Sequence, residues 1–424
     1  MKFFFSLFIV LCFYSTNYAQ TWSQVGTGMN NKVFAMGLFN GELYAGGNFN
    51  VAGGDTNRLI AKWNGSNWSG VDSGMNISGG YIKSIATYNN EIYVGGNFSG
   101  PTGIFSPNIA KWNGSLWSNV GFQLNNHPVF SLEVFNGKLY AGGPQLLANW
   151  DGFNWVFIGM SVPGIVNTLK VYNGELYIGG NFINVGGIYS RNIARWNGTS
   201  WSSVGIGTNG YISSLEVFNQ QLIAGGVFDS AGGIVANNIA KWDGNIWSNV
   251  GTGTNDVVQC IKAYNSELFI GGWFNIAGDS IVNHIARWNG VSWSSVSGGT
   301  DSSVYCLSVY DSELYAGGNF THVDGIPANF IAKLSNPNSI SENMLSNEIS
   351  ISPSPAKENI SILQNKNDLF EISLFDIIGR ELLRISNNKK QLTEIPVVDF
   401  NEGVYIVQVR TANGIIAKKI VVQR

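Results

Sequence analysis

A chain of 424 residues exceeds one ordinary core, so several domains or a repeat array is expected. Charged residues are only 12%, while Gly contributes 53 residues and aromatics 13%; this excludes a disordered chain, which is charge-rich and aromatic-poor, and suits an all-β protein with many tight turns. The net charge of −3 excludes a nucleic-acid binder, because neutralising phosphates needs a basic surface.

At the start, Lys2 precedes the apolar run FFFSLFIVLCFY and the polar STNYAQ. This pattern predicts a signal peptide over 1–19, cut after Ala19. The run is short of the ~20 residues needed to cross a bilayer, and no membrane span is expected in the mature chain.

TWSQVG (21–26) comes next, and the same phrase recurs as WSNVG at 117–121, WSSVG at 201–205 and WSNVG at 247–251, there always as the tail of a longer unit. The unit is marked by a diglycine whose first member falls at 46, 95, 142, 179, 225, 271 and 317, in steps of 49, 47, 37, 46, 46 and 46. Seven such units with short alternating strands indicate a propeller or solenoid. Each unit resolves into four strands: an alternating run such as VFSLEVF (129–135), a turn such as Asn136-Gly137, then KLYAGG, then IAKW or IARW, then WSSVG after a WNG-type turn. Four antiparallel strands linked in this way make one propeller blade.

Trp68, Trp117, Trp155, Trp201, Trp247 and Trp293 head six fourth strands, but the seventh unit ends at IAKL (331–334) without one. TWSQVG supplies it, with Trp22 in the equivalent place. The expected architecture over 20–334 is therefore a seven-bladed β-propeller closed by an N-terminal strand.

Thirteen of the 14 Trp occupy the two repeat slots and are read as packing between blades; Trp273 alone stands outside them. The basic column Lys62, Lys111, Arg195, Lys241, Arg287 and Lys333 is read as stems lying along indole. The diglycines serve close backbone approach or bulges, and no helix follows them to make a phosphate loop. Cys260 and Cys306 share a slot held elsewhere by Ala35, Ser84, Ser131, Thr168 and Ser214, so both are read as small buried fillers and not as a disulfide. The third unit runs from AGGPQ straight into LLANW, without the long connection of the others, and is expected to leave a notch. The six long connections carry the variable aromatics Phe105, Tyr189 and Trp273, the expected ligand face, suited to a glycan or a protein surface.

Residues 21–334 resemble the propeller repeats of secreted Bacteroidetes proteins and of fungal cortical polarity-marker propellers. Their diglycine and paired Trp are also similar to kelch and galactose-oxidase-like propellers, although strict kelch spacing is not kept. The resemblance implies a fold and a surface location, and no particular ligand.

An Asn/Ser-rich linker over 335–348 follows, and then strands without diglycine or WNG turns. The alternation in GVYIVQV and IIAKKIVV predicts a small C-terminal Ig-like β-sandwich over 349–424. The tail resembles the type A C-terminal sorting domain of the Bacteroidetes type IX secretion system. The resemblance is carried by Pro353, Pro355 and Ala356, by Asp376 and Gly379 in LFDIIGREL, by Gly403 and Tyr405 in GVY, and by Lys418 and Lys419 before IVV. Ser354 departs from the usual Asn. The resemblance implies export through the type IX machinery to the cell surface or the medium.

No catalytic motif is present: His127, His284 and His322 lie outside the repeat slots, and no HExxH, GxSxG or calcium-loop spacing occurs. No enzyme, metal or cofactor is expected. A non-catalytic binding module is the first reading, and a structural surface scaffold without a discrete ligand is the alternative.

Overall fold

The computed structural model describes residues 20–423 apart from 73, 76–79, 102, 122–123, 125–126, 159–161, 336–348, 354, 365–369, 377–379, 389–390 and 412–413. The expected signal peptide (1–19) and nearly all of the expected linker lie outside the described residues. The protein is all-β, with no helix among the described residues. It divides into two compact units, Met1–Asn336 and Pro337–Arg424.

The repeat resolves as expected into propeller-like sheets of four antiparallel strands, seven of them among the described residues of the first unit. The first sheet shows the local logic. Val33–Phe39 turns at Asn40 and Gly41, both at positive φ (50° and 74°), into Glu42–Gly47. Glycine and asparagine tolerate that conformation, and the turn matches strand twist. Ile60–Trp63 and Trp68–Gly70 complete the sheet. In the seventh sheet, Val304–Tyr310, Glu313–Gly318 and Ile331–Ser335 are joined by Thr21–Gln24, which pairs with Trp22 opposite Leu334.

Apolar clusters fill the spaces between successive sheets. One joins the first and second sheets through Tyr44, Ile60, Ile82 and Trp112. Another joins Tyr315 and Cys306 of the seventh sheet to Val33, Leu43 and Trp63 of the first. Within sheets, the two repeat Trp face each other, as in Trp63 and Trp68 with ring centroids 5.3 Å apart. The indole N–H of the second Trp then donates to a valine carbonyl of the preceding sheet: Trp117 to Val71 at 3.2 Å, Trp155 to Val120 at 2.8 Å, Trp247 to Val204 at 3.1 Å and Trp293 to Val250 at 3.0 Å. Trp22 donates to Val296 of the sixth sheet at 3.1 Å, and Val25 beside it accepts from Trp68 of the first at 2.9 Å. Trp201 is the exception, its buried N–H without an acceptor among the described residues.

The diglycines do both jobs expected of them. A Cβ on Gly271 would lie 2.6 Å from Val304 Cγ1 of the next sheet, and one on Gly272 would strike the Val257 carbonyl of its own sheet. Gly271→Ala is therefore expected to lower stability by about 1–3 kcal/mol through overpacking, read from urea denaturation. An unchanged midpoint would show that the sheets can separate without loss.

Five of the six members of the basic column, Lys62, Lys111, Arg195, Arg287 and Lys333, pair with Glu42, Glu91, Glu175, Glu267 and Glu313 at 2.9, 2.8, 3.1, 3.5 and 2.7 Å; Lys241 has no such pair among the described residues. Lys62 sits opposite Tyr44 in the ladder, which makes Glu42 its diagonal neighbour on the same face. Part-exposed pairs of this kind contribute about 0–1 kcal/mol each.

In the second unit, Ile349–Ser352, Asn359–Gln364 and Leu392–Pro396 form one sheet. Glu381–Asn388, Phe370–Asp376, Gly403–Thr411 and Gly414–Val422 form another. Ile360, Ile362 and Ile395 from the first meet Ile372, Val407, Val409 and Ile420 from the second in one core.

Candidate functional site

The first strand of each sheet of the larger unit carries a slot that periodicity alone does not reveal. In the first sheet Val33 pairs with Gly47 and Ala35 with Gly46, so Phe34 is an extra, unpaired residue. The same register shift leaves Lys83, Asn167, Ser213, Gln259 and Tyr305 as the extra residues of five other sheets. A bulge of this kind bends the strand and re-aims one side chain. It forms here because the facing diglycine has no Cβ where the bulged backbone passes. In the third sheet Phe130 holds the equivalent place, its N–H bonded to the Gly142 carbonyl at 2.8 Å.

All seven of these residues line one cavity of about 450 Å³. The next slot, Ala35, Ser84, Ser131, Thr168, Ser214, Cys260 and Cys306, forms its small-residue wall. Both cysteines are free and buried, as expected of fillers, and burial pushes their thiols well up from the ordinary range.

Aromatic side chains gather on one side. The Phe34 ring lies 6.0 Å from Tyr81, edge to face, and 5.5 Å from Tyr305. The Lys83 ammonium lies 3.9 Å from the centroid of Phe130. Burial lowers the Lys83 pKa and raises that of Tyr81.

Of the three aromatics expected on a ligand face, Trp273 lines the cavity and is 53% exposed. Phe105 and Tyr189 are each 65% exposed and neither belongs to the lining, so the structure does not gather the three. Tyr189 sits on a small two-stranded hairpin, Asn184–Val185 with Ile188–Tyr189, and the carbonyl of Phe105 accepts from the Asn119 amide at 2.7 Å. Similar hairpins fill the long connections of four more sheets. The third sheet has none, and Gly143 passes through Pro144 and Gln145 to Leu146, as its sequence suggests.

The histidines are separately engaged. His322 Nδ1 is 3.1 Å from Asp301 Oδ2, His127 Nδ1 is 3.3 Å from the Pro144 carbonyl, and burial lowers the pKa of His284. Among the described residues, no group of three or more His, Cys, Asp or Glu side chains converges as a metal site.

In the second unit the residues of the sorting motif sit at both ends of the fold. Pro353 and Pro355 are exposed. Ala356 beside them is fully buried and bonds the closing strand, its N–H to the Val421 carbonyl at 2.7 Å and its carbonyl to the Gln423 N–H at 3.0 Å. The Asp376 carboxylate accepts from the backbone N–H and Nε of Arg380 at 2.9 and 3.1 Å; Gly379 lies outside the described residues. Gly403 opens a strand opposite Val422, and Asp376 pairs with Tyr405. The buried Tyr405 ring donates its hydroxyl to the Asn401 carbonyl at 2.8 Å. Lys418 reaches the Ile351 carbonyl, and Lys419 is paired through its backbone with Ile406.

Residues 350–423 match the family described as the secretion system C-terminal sorting domain. This implies export by the type IX system, and no helix among the described residues is long and apolar enough to cross a membrane. Among solved structures, the chain is similar to the extracellular domain of a protein described as the hybrid two component system BT3049 from B. thetaiotaomicron. That match has 10% identity and a TM-score of 0.52, and it covers 96% of this chain and 58% of the other, so the chain spans little more than half of that domain. Weaker matches are the extracellular domain of the one component system BT4673 from the same organism and BamB from Moraxella catarrhalis. Both are 10% identical, with TM-scores of 0.29 and 0.25, covering 92% and 82% of this chain and 81% and 92% of theirs. No curated protein matches the sequence.

Proposed function

We propose that this protein is an exported, non-catalytic binding module whose seven sheets close as the blades of a β-propeller around the shared cavity. The sorting tail (349–424) then directs it, behind a cleaved signal peptide (1–19) and a linker (335–348), to the cell surface or the medium. Closure is supported by the indole bonds on both sides of the N-terminal strand, Trp22 to Val296 and Trp68 to Val25. The binding reading rests on one observation: side chains from the equivalent slot of all seven sheets, six of them at bulges, line one cavity, and they differ from sheet to sheet. Packing positions in this repeat are nearly uniform, so a fixed slot that varies is suited to recognition.

A glycan or a protein surface fits such a concave, partly aromatic site. The test is a glycan array probed with the full mature chain. Saturable binding that falls at least about tenfold in Trp273→Ala supports a cavity-centred binder, since an exposed aromatic anchor carries much of the affinity in such sites. A blank array together with concentration-dependent self-association would favour the structural scaffold.

A further inference from the structure

The cavity lining is uneven in charge. Lys83 is its one charged side chain, and no Asp or Glu lines it among the described residues. Five other half-buried cations of this unit, Lys62, Lys111, Lys170, Arg195 and Lys333, each meet a glutamate within 3.1 Å, whereas Lys32 and Lys241, also half-buried but outside the cavity lining, show no ion pair among the described residues. Lys83 has no ion pair among the described residues; its neighbour is the face of Phe130. Burial alone accounts for the lowering of its pKa, with no carboxylate acting on it. A partly desolvated ammonium without a counter-ion is costly, and an incoming anion removes that cost.

The rest of the lining narrows the anion. Trp273, Phe34, Tyr81 and Tyr305 line it with aromatic rings, a side-chain class that suits the C–H face of a pyranose ring. Asn167, Ser213 and Gln259 supply amide and hydroxyl groups for sugar hydroxyls. A fatty acid would satisfy Lys83 and leave those polar groups facing hydrocarbon. A phosphate would bring more charge than one ammonium balances, and a neutral sugar would leave Lys83 unmatched. The volume of about 450 Å³ admits one or two sugar rings.

We infer that the cavity binds an acidic sugar of the hexuronate class, its carboxylate on the Lys83 ammonium and its ring against Trp273. The inference rests on the binding reading above and specifies its ligand.

The experiment is isothermal titration of the full mature chain with glucuronate, galacturonate and their disaccharides, set against glucose, galactose and acetate. The uronates are expected to bind about tenfold or more tightly than the neutral hexoses, as a charge-assisted hydrogen bond implies. Acetate is expected to bind weakly, because it lacks the ring. Lys83→Met should abolish the uronate advantage, Lys83→Arg should keep most of it, and Trp273→Ala should weaken acidic and neutral sugars together. If Lys83→Met does not fold, the wild-type comparison of acidic with neutral sugars and the Lys83→Arg variant carry the decision. Equal affinity for acidic and neutral sugars, or a folded Lys83→Met variant with unchanged uronate affinity, overturns the ligand assignment and leaves the binding reading standing. No binding of either sugar, with Trp273→Ala without effect on any array ligand, overturns both.

Discussion

Deleting Thr21–Gly26 is expected to cause the largest loss of stability of any short change in the protein. Trp22 is only 5% exposed, packs with Leu314, Phe320 and Leu334, and donates its indole N–H to Val296. Trp22→Ala alone should cost about 3–5 kcal/mol, the range for removing a large buried aromatic. The deletion adds the four-residue ladder with Ile331–Ser335 and leaves that strand as a bare edge. Val25 goes as well, and with it the acceptor for Trp68 of the first sheet. The expected result is a melting midpoint lowered by many degrees, with hydrogen exchange accelerated first in the first and seventh sheets. An unchanged midpoint would mean that the N-terminal strand is an accessory and that the sheets hold together without it.

Removal of Lys418–Arg424 is expected to stop export across the outer membrane. The closing strand pairs along its length with Gly403–Thr411, and Val421 and Gln423 hold Ala356 from the far end of the motif. Cutting these residues removes the closing-strand partners of Gly403, Val404, Tyr405, Ile406 and Val407 and takes both backbone bonds from Ala356, so both ends of the motif lose their positions together. Fractionation should then find the protein in the periplasm, while a reporter fused to residues 340–424 is carried out in a host with the type IX system. A reporter that stays in the periplasm would defeat the sorting assignment.

Much of this fold was legible because the repeat puts its diglycine in every unit and tryptophan at two slots broken only by Leu334, each fixed by a steric need of the blade. The return of TWSQVG to pair with IAKL could be read by counting fourth strands, and the register places Trp22 opposite Leu334. The cavity was not legible in the same way. A period-2 pattern treats Phe34, Lys83 and Tyr305 as ordinary alternating residues, whereas the bulge inserts one residue and turns it out of the ladder. The signal was present as a column next to the small-residue slot, reading Phe, Lys, Phe, Asn, Ser, Gln and Tyr down the seven units. The glutamate partners of the basic column escaped for a related reason, since diagonal neighbours follow from register and not from spacing along the chain. The hairpins in the long connections, with strands of two residues each, are too short for any periodicity to show.

The pairing of Trp22 with Leu334 also sets a clock. The two partners are about 310 residues apart, among the most distant contacts a chain of this size can make, and such contacts form late. As the chain is made from its N-terminus, Thr21–Gln24 emerges well before Ile331–Ser335, and it stays unpaired until the seventh sheet has followed. Until then the first sheet lacks the Val25 acceptor for Trp68, and the sixth lacks the Trp22 donor for Val296. The first unit thus gains its full rigidity only after the last repeat has been made.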